Sequence, residues 1–207
     1  MITLNLNTIL RLTPEEIKNT KIRFNQFNGE VNPLDMYIQD PEMVNTQFFL
    51  WRTKQRYFSV GQIAICLLKL AEDKWLLTTI KRIMKELDVI DGVNYEADEI
   101  EEYKPYFGRV IVRFHKTFQT QGIFYETVYE QLEVNQILPD TYQGDDFPGY
   151  DKVRLPYEKL ATILNVGKKD WIAALENQKA VYLITDTHNG KLYVGSDTSN
   201  NGMLLQR

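Results

Sequence analysis

The sequence predicts an α+β protein with a curled, β-barrel-like amino-terminal domain, a helical connector and a closing β-hairpin. Three observations carry this reading. Short strand-like runs separated by turn signals fill most of residues 1–150. Helical apolar spacing appears at 157, 160, 161 and 164. Two β-rich runs then flank an Asn-Gly step between residues 179 and 196. The domains are read as 1–150, 151–178 and 179–207.

The first forty residues show no clean period, although Thr13-Pro14-Glu15-Glu16 is a helix start. Thr13 suits the N-cap, Pro14 the first helical position and Glu16 the reciprocal capping position, so a short helix runs from Pro14 to about Asn19. From Tyr57 to Leu70 the chain is almost continuously apolar, which suits a strand buried on both faces. Asp73-Lys74 then turns the chain into the strand-like run Trp75–Ile80. Gly108–Phe114 alternates basic and apolar residues as a half-buried strand does, with Arg109 and Arg113 on one face. Tyr129–Leu138 is a further strand, with Leu132, Val134 and Ile137 directed at the core. The turn-rich stretch Asp140–Tyr150 marks the boundary of this domain. A helix over 156–164 and a second from Lys169-Asp170 to Asn177, burying Trp171, Ala174 and Leu175, form the connector.

Composition restricts the function classes. A net charge of −4 argues against a protein that coats nucleic acid indiscriminately, since neutralising phosphates requires an excess of Lys and Arg. The charge is segregated, however. Phe48–Lys85 carries eight basic residues and two acidic ones, whereas Glu86–Glu102 carries eight acidic residues and no basic one. Either the basic run faces phosphates or the two runs are complementary surfaces of one domain. Cys66, the single cysteine, lies in an apolar run and is read as a core residue; a disulfide framework and a CxxC metal site are excluded. No apolar window is long enough to span a bilayer and the start lacks a secretory pattern, so a cytoplasmic location and no membrane partner are expected. His115 and His188 are read as exposed polar residues, and no metal-binding residues are assigned.

The hairpin carries the most specific pattern. Ala180-Val181-Tyr182, then about ten residues, then Tyr193-Val194-Gly195 and a trailing Arg207 resemble the first half of the GIY-YIG nuclease domain over residues 179–207. Ala180 stands for the family's glycine and Val194 for its isoleucine. The resemblance implies a DNA endonuclease of restriction or genome-defence type in bacteria. In such an enzyme Tyr182 and Tyr193 position or activate the attacking water, Arg207 stabilises the phosphate and Gly195 lies against DNA. It also implies Mg²⁺ for the complete domain, held by a glutamate downstream of the arginine. No upstream carboxylate matches that position, so the chain is expected to bind no metal and to leave DNA uncut, as a truncated nuclease or as a degenerate relative. Asp197 is a further departure that would repel phosphate.

Asp146-Phe147-Pro148-Gly149-Tyr150 with Val153-Arg154-Leu155 is similar to the region before the hairpin in some bacterial GIY-YIG proteins, where the leading domain selects the DNA. By analogy with PUA-like modified-base readers, a small barrel with Trp51, Tyr57, Phe58, Trp75, Tyr103, Tyr106 and Phe107 near basic residues would hold a base between aromatic walls. Trp51 is the leading candidate, with Arg52, Lys54, Arg56, Arg109 and Arg113 as DNA contacts. The alternatives are a non-catalytic DNA-binding module and a protein-interaction barrel, the latter favoured by net acidity.

Overall fold

The computed structural model describes residues 4–155, 157–176 and 178–197. The chain divides into two compact units, residues 1–142 and 143–207. The first opens with helix α1 (Leu6–Leu10), whose amino end is capped by the Asn5 side chain. Helix α2 (Pro14–Lys18) follows as expected. Thr13 Oγ1 accepts from the Glu16 amide while Glu16 Oε2 accepts from the Thr13 amide, which completes the capping box.

Strand β1 (Thr20–Asn25) leads through helices α3 (Pro33–Gln39) and α4 (Pro41–Met43) and a π-helical turn at Val44–Phe48 to the short strand β2 (Trp51–Arg52). Then come β3 (Ile63–Ala71), β4 (Lys74–Glu86), β5 (Gly92–Val93), β6 (Tyr95–Glu99), β7 (Val110–Arg113), β8 (Gly122–Phe124) and β9 (Glu133–Ile137). The main sheet has the order β8-β1-β3-β4-β7-β9, with β6 also paired to β4. β1 and β3 are parallel, Thr20 opposite Ile63, and the remaining pairs are antiparallel.

This mixed sheet corrects the expected barrel, because it does not close. The physical reason lies in β4, a strand of 13 residues. One edge of β4 pairs with β3, and the other is divided between β7 at Lys74–Leu76 and β6 at Lys81–Glu86. The sheet forks there, and β8 and β9 are left at its two ends.

β3 explains the apolar run from which it was predicted. Ile63, Ile65 and Leu67 enter one core with Phe24, Trp75, Val112 and Leu132; Ala64, Cys66 and Leu68 enter another with Phe49, Phe58 and Ile83. A central strand covered on both faces needs apolar residues at every position. A bulge in β4 shifts the register from Leu67–Leu77 to Cys66–Thr79 and leaves Thr78 over, so Leu77 and Ile80 face the same core. Burial pushes the Cys66 thiol up to about 11, in keeping with a core residue. β7 also differs from its expected half-buried form. Val110, Ile111 and Val112 are all buried because both faces are covered, and Arg109 precedes the strand. In β9, Leu132 is buried beside the strand whereas Ile137 is exposed.

The second unit contains helices α5 (Tyr157–Val166) and α6 (Lys169–Glu176) and the hairpin β10 (Ala180–Thr185) with β11 (Leu192–Asp197). Trp171 on α6 is buried against Phe147, with ring centroids 5.1 Å apart, and its indole N–H donates to the Asp145 carbonyl at 3.0 Å. The Phe147 amide donates to Asp170 at 2.6 Å and Lys168 Nζ donates to Asp146 at 2.7 Å. The turn-rich stretch is therefore packed onto α6. Among the described residues, no helix is long and apolar enough to cross a membrane.

Candidate functional site

In the hairpin, Tyr182 pairs with Gly195 and Ile184 with Tyr193. Paired residues of an antiparallel ladder share a face, so both tyrosines and Gly195 lie on one side. The two rings are 6.3 Å apart between centroids and tilted by 42°. Gly195 is required locally. A Cβ there would come within 2.4 Å of the Tyr182 ring, so any side chain displaces the tyrosine. The six-residue loop 186–191 is closed by the Asp186 amide donating to the Lys191 carbonyl at 2.9 Å, with Gly190 at φ 73°. Asp186 Oδ1 accepts from the His188 amide, which fixes the turn expected from Asn189-Gly190. Arg207 lies outside the described residues, as does the side chain of Asp197.

Mg²⁺ would need several oxygen ligands at this face. Among the described residues no group of three or more His, Cys, Asp or Glu is gathered anywhere.

The predicted basic residues of the sheet unit do not form one free surface. Arg52 is buried and pairs with Glu86 at 3.2 Å and Asp88 at 3.6 Å; Arg56 reaches the same carboxylates at 2.9 and 3.4 Å. Lys81–Glu99 and Lys85–Glu96 join the two charge runs again across β4 and β6. The segregated runs are thus largely complementary within one domain. Arg113 is held by Glu133 at 2.6 Å, and Arg109 donates to the carbonyls of Leu138 and Pro105. Lys54 and Trp51 are exposed, Trp51 by 42%. Of the predicted aromatic walls, Phe58, Trp75 and Tyr103 are core residues, Tyr106 and Phe107 are half-buried against that core, and Tyr57 is half-buried.

Tyr57 opens onto a cleft of about 300 Å³ lined by Lys21, Gln55, Arg56, Tyr57, Gln119 and Gln121, with Thr120 and Gly122 at its edge. Two of its lining residues, Tyr57 and Gln121, are held by Arg23, which sequence reading did not single out. The buried guanidinium donates to the carbonyls of Phe49 at 2.7 Å and Trp51 at 3.1 Å, and to Gln121 Oε1 at 3.1 Å. It also lies 4.6 Å from the Tyr57 ring centroid. Tyr57 is fixed further by its amide donating to Tyr95 Oη at 3.2 Å and by its carbonyl accepting from Lys21 Nζ at 2.7 Å. Burial lowers the pKa of both Lys21 and Arg23. The missed signal was the alternation in Lys21-Ile22-Arg23-Phe24, a strand period inside a stretch read as patternless.

No protein-family profile, curated protein or solved structure matches the chain. Any functional reading therefore rests on the residues themselves.

Proposed function

We propose that the protein acts on DNA and that, with a complete nuclease domain, it is a GIY-YIG-type endonuclease of the restriction or genome-defence kind. In this reading the sheet unit has the role of a PUA-like recognition domain and the hairpin that of the opening of the nuclease domain. One observation carries it: the β10–β11 register puts Tyr182, Tyr193 and Gly195 on one face, and Gly195 admits the Tyr182 ring at a distance no other residue allows. Two phenols on one exposed face can orient a water toward a phosphate, and the bare backbone at Gly195 lets the strand approach a DNA strand closely. Orientation and proton transfer of this kind contribute about 10²–10⁴-fold in rate.

A second reading is a non-catalytic DNA-binding module, favoured by the charge of Asp197, which would repel phosphate. One experiment tests both. Labelled unmodified and cytosine-modified duplexes are incubated with the protein and Mg²⁺ at two salt concentrations, and both binding and strand scission are read. Cleavage that falls by about 100-fold or more in Tyr182→Phe supports the nuclease. Salt-sensitive binding without cleavage supports a DNA-recognition unit, alone or joined to a nuclease half that does not cut. Absence of binding even at low salt removes both.

A further inference from the structure

The geometry points to the cleft beneath Tyr57 as a binding site for a single unstacked nucleotide, the base lying against Tyr57 with its edge on glutamine amides and the phosphate toward Lys21 and Arg56. This inference rests on the reading that the protein acts on DNA, and it joins the predicted Tyr57 and Arg56 to Lys21, Gln55, Gln119 and Gln121, which sequence reading did not single out.

Three features support it. The first is the fixed aromatic wall. Tyr57 is held through its ring by Arg23, through its amide by Tyr95 and through its carbonyl by Lys21, so little ordering is left for a ligand to impose. Gly122 keeps the approach to the ring open, since a Cβ there would already sit 3.4 Å from Tyr57 Cδ1. A half-buried, immobilised phenol ring is a stacking platform for any base.

The second feature is the amide lining. Gln55, Gln119 and Gln121 bring carboxamides to one small cleft, and a carboxamide both donates and accepts, as the edge of a base requires. Gln121 is already oriented, because its Oε1 accepts from Arg23 and its NH₂ is thereby defined as the group left to donate. The third feature is charge. Lys21 Nζ has three protons, of which the Tyr57 carbonyl takes one, and Arg56, although paired with Glu86 and Asp88, lines the cleft with its side chain 59% exposed. At about 300 Å³ the cleft lies at the lower end of the range for small-molecule pockets, which suits one nucleotide rather than a duplex.

The test is calorimetric titration of the full chain with each of the four deoxynucleoside monophosphates, with inorganic phosphate as the control. Saturable binding of at least one nucleotide is expected, with phosphate much weaker. Tyr57→Ala is expected to lower nucleotide affinity by about tenfold or more, while Tyr57→Phe retains it, because stacking uses the ring and not the hydroxyl. Gln55→Ala, at an exposed position whose loss leaves the fold intact, is expected to weaken binding severalfold and to change the order of preference among bases. Phosphate binding as tightly as the nucleotides, or no nucleotide binding by a folded protein, overturns the inference. Duplex binding or cleavage without nucleotide binding overturns this inference alone. Nucleotide binding that persists when duplex binding is absent upholds the cleft and removes the endonuclease reading.

Discussion

β3 and β10 are written in nearly the same alphabet, yet they have opposite fates. Ile63 to Leu68 are all buried, while Val181, Leu183 and Ile184 of β10 are exposed by 77%, 60% and 56%. Local β-propensity accounts for both strands. Burial does not follow from it. β3 has strands on both edges and a core on both faces, whereas among the described residues β10 has only β11 beside it. A two-stranded ribbon cannot cover its own faces, and isolated hairpins are marginal for that reason. The difference teaches that a strand's apolar content states how it can be buried, and its neighbours decide whether it is.

The largest test of this contrast is Trp75→Ala. Trp75 is buried, meets Phe24 edge-on at 4.8 Å and donates its indole N–H to Phe114 at 3.0 Å. Denaturant unfolding is expected to show a loss of about 3–5 kcal/mol. A loss under 1 kcal/mol would break the view that this face of the sheet is a close-packed core.

An intermediate effect is expected of Arg23→Leu. The substitution keeps the methylene packing but strands the carbonyls of Phe49 and Trp51 and the Gln121 amide oxygen. Leaving buried acceptors without a donor costs about 1–3 kcal/mol, measurable as a lower unfolding midpoint. The smallest effect belongs to the hairpin. Val181→Thr, at the most exposed of these apolar positions, is expected to change stability by less than about 0.5 kcal/mol. A larger loss would show that its apolar side chain is covered in solution and would sharpen the comparison in the other direction.

Much of the secondary structure was legible in the sequence. Thr13-Pro14-Glu15-Glu16 carries its capping box in four residues, and the hairpin is marked by Asn189-Gly190 between two β-rich runs. Both are set by contacts within a few residues. β1 was not found, although its alternation was present, because its partner β3 lies about forty residues away and the pairing is parallel. The cleft was legible only in part. Tyr57 and Arg56 stand in the aromatic and basic run, but Lys21 and Gln121 come from opposite ends of the sheet unit and carry no motif.

By itself, the sequence determined local elements such as the capped helix α2 and the hairpin, and the apolar content that lets β3 be buried on both faces, because each follows from backbone period and near-neighbour sterics. Tertiary structure alone decided that the sheet forks at β4 and does not close. It alone decided that Arg52 and Arg56 pair with Glu86 and Asp88, and that Arg23 gathers carbonyls from a segment 25 to 28 residues away. The physical reason is common to all three. Pairing edges and charges are satisfied by whichever partner the packed chain brings closest, and that distance is a property of the whole fold.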